Sequence, residues 1–249
     1  MFTRMFGLAL AAVLLPAITF ASPKADLERA ARKGQAAFLL IKDAGTPGLE
    51  PVRSTIQAAI RQTSNAIMVE VDRQDPANAA LVSKLRVGTA PVPLILVAAR
   101  NGVVAGGTEA GKATAETLAA MIPSPAKAAI LRAVEEKKPV YLVASRKGMK
   151  DVPKAMSACE KACAEVQGKP VTVKVDLDDP RERAFLDQLS IDRATTTPVT
   201  LVVNAQGQVT GTYDGQVDVA KLVQDASRKA TGCCPPSVQG GASSCAPKK

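Results

Sequence analysis

Two stretches of this chain are copies of one pattern, set about 105 residues apart. Val69–Pro93 reads VEVDRQDPANAALVSKLRVGTAPVP, and Val173–Pro198 reads VKVDLDDPRERAFLDQLSIDRATTTP. Each has an alternating strand ending in Asp, then Asp-Pro, then a short amphipathic helix. Each closes on a proline that opens an apolar strand, PLILVAA or PVTLVVN. The offset is the length of a small domain and too long for a solenoid unit. The 249 residues therefore divide into two similar domains, residues 22–122 and 123–230, after a leader at 1–21 and before a tail at 231–249.

The leader has the make-up of an export signal. Arg4 gives a positive start, Phe6–Phe20 is an apolar run interrupted by Pro16, and Thr19-Phe20-Ala21 is a small-x-small cleavage site. The run is shorter than the roughly 20 apolar residues of a spanning helix. The expected product is periplasmic or extracellular, without stable membrane insertion after cleavage. Charge is +9, or +8 once Arg4 is removed. The basic residues are scattered among carboxylates, which argues against nucleic acid as a partner. Histidine is absent, so serine triads and most hydrolytic metal sites are excluded.

Within the first copy the pattern predicts helix Lys24–Gly34, a buried strand Ala36–Ile41, a turn-rich loop Lys42–Pro51 and helix Val52–Thr63. Strand Ala66–Val71 and helix Pro76–Leu85 follow. Strand Pro93–Ala98 then turns at Asn101-Gly102 into Val103–Ala105, and helix Ala113–Met121 closes the unit. Ile122-Pro123-Ser124-Pro125 is the boundary. The second copy predicts helix Ala126–Glu136, strand Pro139–Ala144, a basic loop Ser145–Val152 and helix Pro153–Val166. It continues with strand Val171–Val175, helix Pro180–Leu189, the hairpin Val199–Val203 with Gln208–Tyr213, and helix Val219–Lys229. The fold class is α/β, each domain a mixed central sheet flanked by helices on both faces.

This order, with a strand-opening proline about nine residues before a hairpin glycine (Gly102 or Gly207), resembles the thioredoxin fold. The resemblance implies that Val92-Pro93 and Thr197-Pro198 are cis and offer a backbone edge to extended protein segments. Equally, each proline can serve only as a fold-stabilising turn. The family carries Cys-x-x-Cys between its first sheet strand and the next helix. Here those loops read KDAGTPGLEP and SRKGMKDVP, so the usual two-cysteine cycle is impossible in both domains.

The five cysteines, Cys159, Cys163, Cys233, Cys234 and Cys245, all belong to the second half. Cys159 and Cys163 share one helix face at i, i+4. The fold resembled would bring that helix and the last helix onto one side of the sheet, near the start of the tail. Three readings stay open. Disulfides can staple the tail to the helix, one thiol of the odd number being left over. A tail thiol can exchange with thiol-containing proteins, with Arg146, Lys147 and Lys150 as candidate thiolate stabilisers. Cys233, Cys234 and Cys245 can capture Cu(I), Zn(II) or a thiophilic metalloid, although their spacing fits no zinc pattern. Asp72, Asp75, Asp176, Asp178 and Asp179 read as helix-capping carboxylates rather than calcium ligands. The expectation is an exported, non-catalytic binding or scaffolding module that requires no cofactor. A thiol–disulfide oxidoreductase or soft-metal protein is the alternative.

Overall fold

The structure, a computed structural model, describes residues 22–63 and 65–229. The leader and the tail, with Cys233, Cys234 and Cys245, lie outside the described residues. Among the described residues there are two four-stranded mixed sheets, one per repeat. The first contains β1 (Ala36–Lys42), β2 (Ala66–Asp72), β3 (Leu94–Ala98) and β4 (Val104–Glu109) in the order β2-β1-β3-β4. The second contains β5 (Val140–Ser145), β6 (Val171–Asp176), β7 (Val199–Val203) and β8 (Val209–Asp214) in the order β6-β5-β7-β8. In both, the first two strands run parallel and the hairpin strands antiparallel. The molecule is two tandem thioredoxin-like domains.

Alternation along the central strands explains the layers. In β1, Leu39 and Ile41 face α1 (Pro23–Arg32) and α3 (Ala79–Leu85), while Phe38 and Leu40 face α2 (Leu49–Thr63) and α4 (Ala115–Ala120). The second domain repeats this division. Leu142 packs with α5 (Pro125–Glu135) and α7 (Arg183–Gln188). Tyr141 and Val143 pack with α6 (Val152–Glu165) and α8 (Val219–Ser227).

The repeat extends to backbone detail. Ser22 and Ser124 cap their helices by accepting from Ala25 N and Lys127 N, with proline next in both. Arg86 and Ser190 leave α3 and α7 in the left-handed conformation, at φ 56° and 57°. A β-bulge falls between Val97 and Ala98, and another between Val202 and Val203.

Some boundaries differ from the sequence expectation. Helix α2 begins at Leu49 and absorbs Pro51, whose missing N–H falls in the first turn, where helical amides have no partner. Pro76–Asn78 is a 3-10 turn leading into α3. Strand β4 runs on through Gly106 and Gly107 to Glu109. A Cβ at Gly107 would stand 2.5 Å from Leu96 Cδ2, so glycine marks close strand approach there and not a loop.

The domains meet through Ala99 and Val103 of the first hairpin and Ala128 and Leu131 of α5. Asn101 spans this junction: its Nδ2 donates to Ala128 O at 2.7 Å, and its carbonyl accepts from Arg132 Nη2.

Candidate functional site

The loop after β1 and the loop entering β3 face each other across the end of the sheet, where the thioredoxin-like fold carries its cysteine pair. In the first domain an arginine joins them. Arg73, just past β2, donates from Nε and Nη2 to the two carboxylate oxygens of Asp43, at 2.6 and 2.7 Å. Its Nη1 donates to the carbonyls of Val87 and Ala90, at 3.1 and 2.5 Å. The planar guanidinium thus fixes three chain segments at once.

The second domain reaches a related arrangement from the opposite side. Register places Arg146 where the first domain has Asp43. Arg146 Nη2 donates to Arg193 O, in the loop before Pro198, and pairs with Asp178 at 3.3 Å. Its Nε is buried without a hydrogen-bond partner among the described residues. Arg146 is therefore engaged in loop packing. Beside it lies a depression of about 500 Å³, lined by Ser145–Met149 and the end of β6. Thr197 and Pro198 are not on its wall.

The two prolines differ. Val92–Pro93 is cis, and it is the one cis bond among the described residues. The implied cis state at Thr197–Pro198 is therefore not observed. The second loop is one residue longer, from Ile191 to Pro198 against Val87 to Pro93. That extra length accompanies a local seal: Thr195 Oγ1 donates to Thr197 O at 3.0 Å and accepts from Thr197 N at 3.3 Å. Pro198 is buried. Val92 and Pro93 are half-buried, and among the described residues no side chain bonds the Val92 backbone as Thr195 bonds that of Thr197.

Cys159 and Cys163 lie in the cluster shared by α6 and α8, and neither forms a disulfide among the described residues. Cys159 has no exposed surface, and burial pushes its thiol up to about 12, the charges of Cys163 and Glu160 adding to the shift. Cys163 is only partly covered, with Sγ 3.5 Å from Pro170 O and 3.7 Å from Thr172 Oγ1. The last helix ends at Ser227, six residues before Cys233.

Four of the five acidic residues of the repeat cap turns, while Asp178 pairs with Arg146 instead. Asp72, Asp75, Asp176 and Asp179 accept from Gln74 N, Ala77 N, Asp178 N and Arg181 N, at 2.9 to 3.0 Å. Among the described residues no group of three or more Cys, Asp or Glu is placed to hold a metal ion.

Ion pairing at the first site sets its acid response. The Arg73 guanidinium holds the Asp43 carboxyl below its ordinary value. Arg53 does so for Glu70, and the Gln74 amide, then Lys42, for Asp72. A carboxylate with a depressed folded pKa binds fewer protons folded than unfolded. Its contribution is full above the unfolded value, about 4, and is lost as pH falls through the folded one. Urea midpoints should hold steady above pH 5 and fall below pH 4. Arg73→Gln should lie below wild type at pH 7, by a gap that narrows as pH falls below about 4. A gap that stays constant with pH would contradict the pairing.

No model of a known protein family matches this chain, and no curated protein matches it. Among solved structures, it is similar to human ERp44 in a zinc-bound form, at 11% identity and TM-score 0.35, over 84% of this chain and 56% of that one. It is also similar to the first two thioredoxin domains of Saccharomyces cerevisiae Eps1p, at 11% identity and TM-score 0.31, over 84% and 97%. A third is the N-terminal domain of the alkylhydroperoxide reductase AhpF from Enterococcus faecalis, at 10% and 0.27, over 82% and 99%. The chain spans a little over half the length of the ERp44 chain. The fold stands on its strand order and helix placement.

Proposed function

We propose that this chain is an exported, non-catalytic thioredoxin-like module that holds extended protein segments along the Val92–Pro93 edge of its first domain. The observation that carries the reading is the Arg73–Asp43 clamp at the position of the family's cysteine pair. An ion pair there has no electrons to exchange, while it braces the loop that leads into Val92. The Thr195 seal makes Thr197-Pro198 the weaker edge, so binding is assigned to the first domain. The export part rests on the leader's composition. Among the described residues no helix is long and apolar enough to cross a membrane.

Reduced, carboxymethylated α-lactalbumin is a suitable probe, being unfolded and free of thiols. It should bind and slow amide hydrogen exchange in the segment spanning Arg86–Leu96. Absence of binding, or protection confined to the second domain, would reject the assignment.

One observation favours the thiol reading as a second possibility. Cys163 is partly accessible on the helix packed against α8, whose end leads into the tail. A disulfide or shared metal between Cys163 and the tail would use it, whereas Cys159 is sealed. Removing residues 231–249 should then abolish thiol exchange or metal content with the fold retained.

A further inference from the structure

The first domain has a cleft at positions where the second domain carries larger side chains. It measures about 580 Å³, within the range of small-molecule sites, and lies over the sheet between α1 and α3. Its floor is Leu39, Leu96 and Ala98, its walls include Leu27 and Leu81, and Leu131 of α5 closes one side. Among the described residues no aromatic side chain lines it. Val104 at the cleft is the one large aliphatic side chain among the described residues that is exposed, at 36%.

The repeat explains why the space exists. Strand register makes Ala98 the counterpart of Val203, since Ala98 pairs with Ala37 as Val203 pairs with Val140. The matching left-handed exits at Arg86 and Ser190 make Leu81 the counterpart of Phe185. Phe185 and Val203 are 3% and 2% exposed and fill the core of their own domain. The smaller Leu81 and Ala98, 8% and 4% exposed, line the cleft at the corresponding positions.

The rim chooses the charge of an occupant. Glu28 pairs with Lys24 at 4.0 Å and Glu135 with Arg132 at 3.3 Å. Lys84 lines the cleft and makes no ion pair among the described residues. An aliphatic chain would displace water from apolar walls, and an anionic head would meet an uncompensated ammonium.

We propose that this cleft binds a free medium-chain aliphatic carboxylate, its chain over Leu39, Leu96 and Ala98 and its head at Lys84. Contact with both α1 and α5 would make the occupant a tie between the two domains. The inference is independent of the scaffold role, because neither Val92 nor any thiol enters it.

Dodecanoate, kept below its micelle concentration, should titrate the full-length protein calorimetrically with one site per chain. Dodecyltrimethylammonium, with a chain of the same length, should bind roughly tenfold more weakly. Leu81→Phe with Ala98→Val, which installs the second domain's residues, should weaken dodecanoate by at least about tenfold with melting unchanged or raised. Lys84→Glu, an exposed substitution, should weaken it roughly fivefold. The proposal falls if dodecanoate gives no saturable heat, if the cationic chain binds equally well, or if the folded cleft-filling variant binds like wild type. Should that variant not fold, undiminished binding by Lys84→Glu overturns the head-group assignment.

Discussion

Gly211→Ala should destabilise the second domain by about 3 kcal/mol or more, whereas Gly106→Ala, its counterpart in the first, should cost under about 1 kcal/mol. Gly211 pairs with Val202 as Gly106 pairs with Val97. A Cβ on Gly211 would lie 2.0 Å from Asp225 Oδ2 and 2.9 Å from its Cγ. Asp225 is 1% exposed and has little freedom to step aside. Tyr213 OH donates to its Oδ2 at 2.5 Å, Arg228 Nη2 donates to Oδ1, and Thr210 Oγ1 donates to its carbonyl at 2.8 Å. Moving the carboxylate breaks its bonds to Tyr213 and Arg228 and leaves a buried charge short of partners. Among the described residues a Cβ on Gly106 meets only Met121 Cε, at 3.2 Å, the end of a flexible side chain. Both tyrosines, Tyr141 and Tyr213, are in the second domain and tryptophan is absent, so tyrosine fluorescence in urea isolates the first effect. Circular dichroism follows the second. Equal losses would contradict the Asp225 network.

A second large effect is chemical. In the full-length variant with Cys233, Cys234 and Cys245 changed to serine, Cys163 should alkylate at least about 1,000 times faster than Cys159 at pH 8. A thiol pushed up to about 12 has only about one part in 10⁴ as thiolate at that pH. Cys159 also lies fully buried among Tyr141, Ala155, Ala162 and Leu222. Its reaction therefore waits for the domain to open. Quenched iodoacetamide labelling with peptide mass spectrometry reads both sites. Similar rates would mean that the α6–α8 cluster is looser than its packing.

The architecture was legible because it rests on local signals given twice. Val-x-Val-Asp ends β2 and β6, Asp-Pro opens the next turn, and apolar runs mark the central strands β1 and β5. The clamps were not legible. Asp43 and Arg73 are 30 residues apart, and the second domain builds its version with Arg146 at the position of that aspartate. No shared residue type signals the common role. Thr195 is hidden for another reason: its bonds to Thr197 lie in a loop one residue longer than its counterpart, so the repeat offers no matching position. The Leu81/Phe185 and Ala98/Val203 contrasts are visible in the sequence, but only alignment through the sheet gives them meaning. For Cys159 and Cys163, helical spacing placed both on one face. It could not say that one is sealed and the other open.

The central claim is that clamped loops leave this fold without catalytic thiol chemistry. Its most direct test is insulin disulfide reduction by dithiothreitol, followed with the full-length protein and with its variant retaining only Cys159. The predicted rate for both is that of the reaction without protein. Acceleration by the full-length protein would contradict the account. Loss of that acceleration in the variant would move the active centre to Cys163 and the tail, and its persistence would place thiol chemistry inside the fold itself.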